Sequence, residues 1–271
     1  MHIRHCALHQ LASCLERALD QKQYTLGVFD IGAFDNSSPH SVRYALDEWR
    51  VVKPVRNWIV SMIGSRSIRV CLGNSNMVVQ AGRGLPQGGG MSPTLWSLIA
   101  ECLLKWLSKQ GVYAHGFADD GVAVVIGCFF ATLCEIMQRV LKGIERWCTE
   151  RELSVNPSKM EIMLFARKYK VERLSPVIFQ GKELMLCKQV KDLGVILDPK
   201  LSWKLHVHAK CNTALAAFYQ VHNATSKTWG TSPKVVHWIY TAVLRLMLTY
   251  VAVIWWPRAR YIVNNSPMYN D

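Results

Sequence analysis

Acidic residues are scarce in the second half of this 271-residue sequence: residues 151–271 hold 17 of the 32 Lys+Arg but only 7 of the 19 Asp+Glu. Most of the net charge of +13 therefore gathers there. A basic face of that kind suits a polyanionic partner, although a solvated surface without a partner carries the same charge. The nine cysteines include no Cys-x-x-Cys pair, and an odd number without a framework fits reduced thiols in an intracellular compartment, nucleus or cytoplasm undistinguished. His206, His208 and Cys211 lack a fourth ligand of suitable spacing, so no zinc is expected. Apolar runs long enough for a membrane span are missing too: residues 121–134 and 246–256 are too short and read as buried core, so no membrane is expected. The opening Met-His-Ile-Arg-His-Cys has no apolar run and does not read as a secretory signal. No glycine-rich stretch ends in Gly-Lys-Ser/Thr, which excludes a phosphate-cradling P-loop.

What is present is a hydrophobic share of 50%, enough for a sizeable core. One stretch organises the rest. Phe117-Ala118-Asp119-Asp120 lies between apolar runs at 112–114 and 122–126, a pattern that predicts strand, tight turn, strand. Asp119-Asp120-Gly121 also fits a plain hairpin turn. Two adjacent carboxylates repel, however, and are held ionised most readily by a cation. A third acid, Asp30, follows directly on the strand-like run Tyr24–Phe29. One carboxylate ending a strand beside a hairpin tipped with two more makes a hard-cation site of oxygen ligands, the layout of a two-metal phosphoryl-transfer centre.

The remaining pattern is a succession of short elements. Leucines 8, 11, 15 and 19 predict a helix over 6–21. Ser38-Pro39 starts a second with Val42, Ala45, Leu46 and Trp49 inward, and Pro54 a third with Val55, Trp58, Ile59 and Met62 as its apolar side. A hairpin follows, residues 67–72 turned by Gly73-Asn74 towards 77–79, with Arg66, Arg69 and Arg83 nearby. Residues 83–91 carry four glycines and a proline, so the backbone there can approach a ligand closely, and Ser92-Pro93 opens the next helix. Residues 130–150 form another helix, 153–159 a turn, and 161–165 a strand. Two short strands surround Gln180-Gly181, residues 191–197 form a third, and helices are expected near 204–227 and 233–250.

In this order the chain resembles the reverse transcriptases of insect non-LTR retrotransposons of the jockey and R1 type, from about residue 5 to about residue 258. Phe-Asp-Ile-Gly-Ala-Phe-Asp-Asn at 29–36 resembles motif A, Gly-Leu-Pro-Gln-Gly-Gly-Gly-Met-Ser-Pro at 84–93 motif B, Phe-Ala-Asp-Asp at 117–120 motif C, and Leu-Ser-Val-Asn-Pro-Ser-Lys at 153–159 motif D. Leu-Gly-Val-Ile-Leu-Asp at 193–198 is similar to the primer-grip region.

The resemblance implies an α+β polymerase right hand. Residues 1–165 would form a palm, an antiparallel sheet with helices on one face, residues 166–199 a small β extension, 200–257 a helical thumb and 258–271 a tail, with fingers largely absent. It implies RNA-directed DNA synthesis with an RNA template, a DNA primer and deoxynucleoside triphosphates. Asp30, Asp119 and Asp120 would be the catalytic carboxylates, holding two magnesium ions about 3.5 to 4 Å apart, with manganese as a substitute. Phe34 would lie under the incoming sugar, Gln87 and Gly88 along the templating base pair, Lys159 near the phosphates, and Leu193 and Gly194 at the primer. The family's Phe-Leu-Asp-Ile-Glu-Gly-Ala-Phe-Asp is one residue longer on each side of the acid that corresponds to Asp30. Because strand side chains alternate, the residue lost before Asp30 reverses its face unless a bulge absorbs the slip. The alternative implied is a truncated, inactive remnant that binds nucleic acid through its basic C-terminal part.

Overall fold

The helix His2–Asp20 (α1) buries Leu8, Leu11, Leu15 and Leu19, the face that the leucine spacing predicts, and starts earlier than residue 6. It leads into Tyr24–Phe29 (β1), which is buried almost throughout. A strand covered on both faces has no polar side to show, which is why this segment is apolar without alternation. The computed structural model describes residues 2–29, 37–73, 75–86, 88–118, 120–167, 175–223, 230 and 232–264. These divide into two compact units, Ala18–Cys187 and, separately, Met1–Arg17 with Lys188–Asp271.

In the first unit Ser38 caps the helix Pro39–Glu48 (α2). Its hydroxyl accepts from Ser41 N–H, and the Ser41 hydroxyl accepts from Ser38 N–H, a reciprocal cap with proline in the first turn. Lys53–Gly64 (α3) packs mainly on α2, and a single neighbour covers a single row of side chains, Ile59 and Ile63. Val55 and Trp58, on the apolar side of α3 by spacing, are exposed for that reason, and Trp49, expected inward on α2, is exposed at that helix's C-terminal end. The strands Ser67–Leu72 (β2) and Ser75–Gln80 (β3) form a two-stranded ribbon with every described residue exposed. Then come Ser92–Lys109 (α4), Tyr113–Phe117 (β4), Asp120–Gly127 (β5), Phe130–Glu150 (α5) and Glu161–Phe165 (β6).

Strands β4, β5, β1 and β6 make one antiparallel sheet in that spatial order. Helices α4 and α5 pack on it, α4 against β4 and α5 against β5 and β1. Leu26, Val28, Ala123, Val125, Ile162 and Leu164 from the sheet join Leu133, Met137, Leu141 and Ile144 of α5 in one core. The fold is thus α+β, as expected. Residue runs 121–127 and 130–134, apolar enough to suggest a span, are a strand and a helix start of this core. Ile178–Phe179 (β7) and Lys182–Glu183 (β8) are the short hairpin expected around Gln180-Gly181, both of which take positive φ.

The second unit departs from the sequence pattern in three places. Residues 191–197, expected as one strand, are two: Val190–Asp192 (β9) and Val195–Leu197 (β10), folded back through Leu193 (φ 47°) and Gly194 (φ 82°). Two consecutive left-handed residues make a tight hairpin turn, and the apolar alternation on either side concealed it. After Lys204–Asn223 (α6), the helix expected over 233–250 is Pro233–Ile239 (α7), a π-helical turn Tyr240–Leu244, and Arg245–Leu248 (α8). At the junction the Thr241 hydroxyl donates to the carbonyls of His237 and Trp238, both at 3.0 Å, a back-bond that competes with regular helix pairing.

Val251 takes φ 54° before Ala252–Asn264 (α9) begins, and the chain bends by 63°. Residues 246–256, expected as buried core, are only half so. Val251, Ile254 and Trp255 are buried while Leu246, Val253 and Trp256 are exposed, as on an amphipathic helix pair with one covered face. Among the described residues no single helix is long and apolar enough to cross a membrane, and the bent pair Pro233–Leu248 with Ala252–Arg258 passes by length and composition only.

Candidate active site

Strand β4 pairs with β5 from Tyr113↔Val124 to Phe117↔Asp120, so the hairpin closes where the sequence places its acids. Strand β1 pairs with β5 up to Val28↔Ala123 and with β6 up to Phe29↔Glu161. The end of β1, one residue before Asp30, and the start of β5, at Asp120, therefore open at the same end of the sheet. Pairing along β1 is unbroken from Tyr24 to Phe29, so no bulge among its described residues absorbs the residue missing before Asp30.

Asp120 lines a cavity of about 40 Å³ together with Trp96, His115, Trp147, Leu153 and Val155. The cavity brings the hairpin, α4, α5 and the 153–159 turn around one space. Trp96 reaches from α4 to the hairpin tip, where its indole N–H donates to the carbonyl of Ala118. Ala118 itself holds φ 53°, unusual for a residue with a side chain. His115 is 8% exposed, both its ring nitrogens are buried without a partner among the described residues, and burial pushes its pKa down to about 4.

The glycine-rich loop is tied down at both ends. Gly84 N–H donates to Ser37 at 2.8 Å, and the Arg66 guanidinium donates to the carbonyls of Ile63 and Gly84. Arg66 thus serves the loop's shape. At the other end the Ser92 hydroxyl donates to Pro86 O at 2.7 Å, and a Cβ on Gly89 would lie 2.8 Å from that hydroxyl, closer than side chains tolerate. Gly88, at φ 81°, is exposed with open space where a Cβ would be. Lys159 lies exposed in the turn 157–159, whose Asn156 carboxamide accepts from Ser158 N–H at 2.9 Å.

In the other unit the turn Leu193-Gly194 is pinned by Tyr250, whose hydroxyl donates to Leu193 O at 2.7 Å and whose ring leaves 3.6 Å for a Cβ on Gly194. Asp198, 7% exposed, accepts from the N–H groups of Lys200, Ser202 and Trp203 at 2.9–3.1 Å and so shapes the entry to α6. His206 Nδ1 accepts from Ile196 N–H at 3.2 Å, and burial, with Lys210 nearby, lowers its pKa to about 4.

Residues 3–197 match the family model described as reverse transcriptase (RNA-dependent DNA polymerase). The chain belongs to the reverse transcriptase family. Among its relatives, the Pol polyprotein of the R1 retrotransposable element of Bradysia coprophila is 24% identical over 253 residues, 92% of this chain and 25% of that protein. The RNA-directed DNA polymerase of the mobile element jockey of Drosophila melanogaster is 24% identical over 209 residues, 74% of this chain and 22% of that one. This reverse transcriptase chain spans about a quarter of the length of the curated relatives it matches. A telomerase structure from Candida tropicalis, in complex with a fragment of telomeric RNA, aligns with 95% of this chain and 42% of that one at 10% identity and a TM-score of 0.49.

Of the residues assigned by resemblance to reverse transcriptases, Asp120, Gly88, Lys159, Leu193 and Gly194 stand as described above. Asp30, Phe34, Gln87 and Asp119 lie outside the described residues. Among the described residues no group of three His, Cys, Asp or Glu side chains is arranged to hold a metal ion, and two of the three expected ligands are not among them. Asp120 supplies the carboxylate oxygen chemistry that magnesium prefers. Trp96 and Tyr250 were missed by reasoning from motifs, because each acts through a hydrogen bond to backbone distant in sequence, and Asp198, though it closes the primer-grip-like stretch, shapes a local turn that no periodicity marks.

Proposed function

We propose that this reverse transcriptase chain carries out RNA-directed DNA synthesis as the polymerase portion of a non-LTR retrotransposon protein, extending a DNA primer on an RNA template with deoxynucleoside triphosphates. The observation that carries this reading is the shared sheet end: β1 stops one residue before Asp30 where β5 starts at Asp120. Asp30, Asp119 and Asp120 would hold magnesium there, with manganese as a substitute; the ions' chemistry would be to activate the primer 3′ hydroxyl and neutralise the leaving pyrophosphate. Apart from that, the protein's work is positioning and charge balance. Phe34 would lie against the sugar, Gln87 and Gly88 against the templating pair, Lys159 beside the phosphates, and Leu193 and Gly194 at the primer terminus. The finer division is likewise our reading: palm over 1–165, β extension over 166–199, thumb over 200–257 and tail over 258–271.

Primer extension by the purified chain on an RNA template with magnesium tests the proposal, beside Asp119→Asn. Incorporation in the wild type that falls at least about a thousandfold in the variant, some 4 kcal/mol of transition-state stabilisation, is the expected result. A variant that synthesises at the wild-type rate removes Asp119 from the mechanism.

A second reading is favoured by the unbroken pairing of β1. With no bulge among the described residues of β1 to offset the residue lost before Asp30, the chain would retain nucleic acid through its basic C-terminal part without incorporating nucleotides. RNA retained in low salt and no extension with either metal is its signature.

A further inference from the structure

Helix α4 begins in the glycine-rich loop and ends its first turn at Trp96. Ser92, at the start, closes the loop by donating to Pro86 O, and Gly89 fits there only because it has no side chain. Trp96, four residues on, projects from the same face of the helix as Ser92. Its ring is 7% exposed, and its N–H donates to the carbonyl of Ala118.

That carbonyl belongs to the peptide unit joining Ala118 to Asp119. A peptide is planar, so fixing the direction of its oxygen fixes the plane in which the chain leaves Ala118. The constraint matters because Ala118 is left-handed, φ 53°, a conformation that alanine leaves readily for the extended region when nothing opposes it. Strand pairing on either side ends at Phe117 and Asp120. Within the tip itself, the indole is the described group that bonds to the Ala118 carbonyl.

We propose that Trp96 is a positioning residue for the β4–β5 turn: it holds the Ala118 carbonyl in register with the glycine-rich loop and so sets how the chain enters β5 at Asp120. This rests on the polymerase reading for its consequence in catalysis, but its geometric content does not depend on nucleotide incorporation. The indole also fills the cavity wall beside Ile99 and Leu103, so a replacement must separate the N–H from the ring.

Trp96→Phe keeps an aromatic ring and removes the donor. Manganese binding to the full chain, followed by electron paramagnetic resonance, is measured for wild type, Trp96→Phe, Ala118→Gly and the double variant, with urea unfolding of each and the magnesium dependence of primer extension alongside. Trp96→Phe is expected to weaken manganese binding about tenfold or more and to raise the magnesium needed for half-maximal extension by a similar factor. Ala118→Gly in that background is expected to recover part of the affinity, since glycine holds positive φ without the indole's help. A packing role alone predicts a lower urea midpoint with manganese affinity unchanged and no recovery by Ala118→Gly, and that result overturns the inference. So does a wild-type chain that binds no manganese. If manganese binds and responds to the variants as expected while no nucleotide is incorporated, the polymerase reading falls and the role of Trp96 stands.

Discussion

His115 and His206 are interior histidines, the first marked by no motif and the second met in the sequence only as part of an incomplete zinc-ligand set. Each is lowered to about 4, His115 by burial alone and His206 by burial and the Lys210 ammonium. In the unfolded chain both would titrate near 6.5. The folded state therefore binds fewer protons than the unfolded one between about pH 6.5 and 4. Stability from these residues is fully present above pH 6.5 and drains away as pH falls through that window, by roughly 2–3 kcal/mol for each histidine. His115→Leu, which suits the apolar cavity wall, is expected to lose that much less stability than the wild type between pH 7 and pH 4.5. Urea unfolding at the two pH values measures the difference, and equal losses would mean that His115 does not titrate as buried. From the sequence His115 was one polar residue in an apolar strand; whether its nitrogens found partners depended on α4, α5 and β5, which a linear pattern does not contain.

Helices α4 and α5 meet where Gly143 of α5 lies under the indole of Trp106, and a Cβ at position 143 would collide with that ring. Alanine in a helix interior ordinarily gains about 1 kcal/mol over glycine. Here the ring must move, and Gly143→Ala is expected to destabilise the protein by about 1–3 kcal/mol instead. Trp106→Leu in the same chain should remove most of the penalty, so the two substitutions combine non-additively in urea midpoints. Simple additivity would show that the ring is free to turn aside. Elements with caps or periodicity were legible: Ser38-Pro39 did start α2, Ser92-Pro93 did start α4, and residues 130–150 did form α5. The hairpin over 190–197 was not, because its turn uses a leucine in a left-handed conformation that the Tyr250 hydroxyl, 57 residues away, helps to hold.

Across the whole molecule the charge imbalance makes its own prediction. Retention of single-stranded RNA should weaken steeply between 50 and 200 mM salt, with log affinity falling by about 0.7 for each phosphate neutralised per tenfold rise in salt. Filter binding across that range checks it, and tight binding indifferent to salt would assign recognition to something other than the basic excess. The order of the motifs, hence the family, and the apolar runs that became β1, β4, β5 and β6 can be read along the chain. These depend on residue type and spacing, which are local. Tertiary structure alone decided that β1 lies between β5 and β6, that its pairing is unbroken to Phe29, and that Trp96 and Tyr250 each hold a distant turn. Those are contacts between segments far apart in the chain, and they exist only once the core between them has closed.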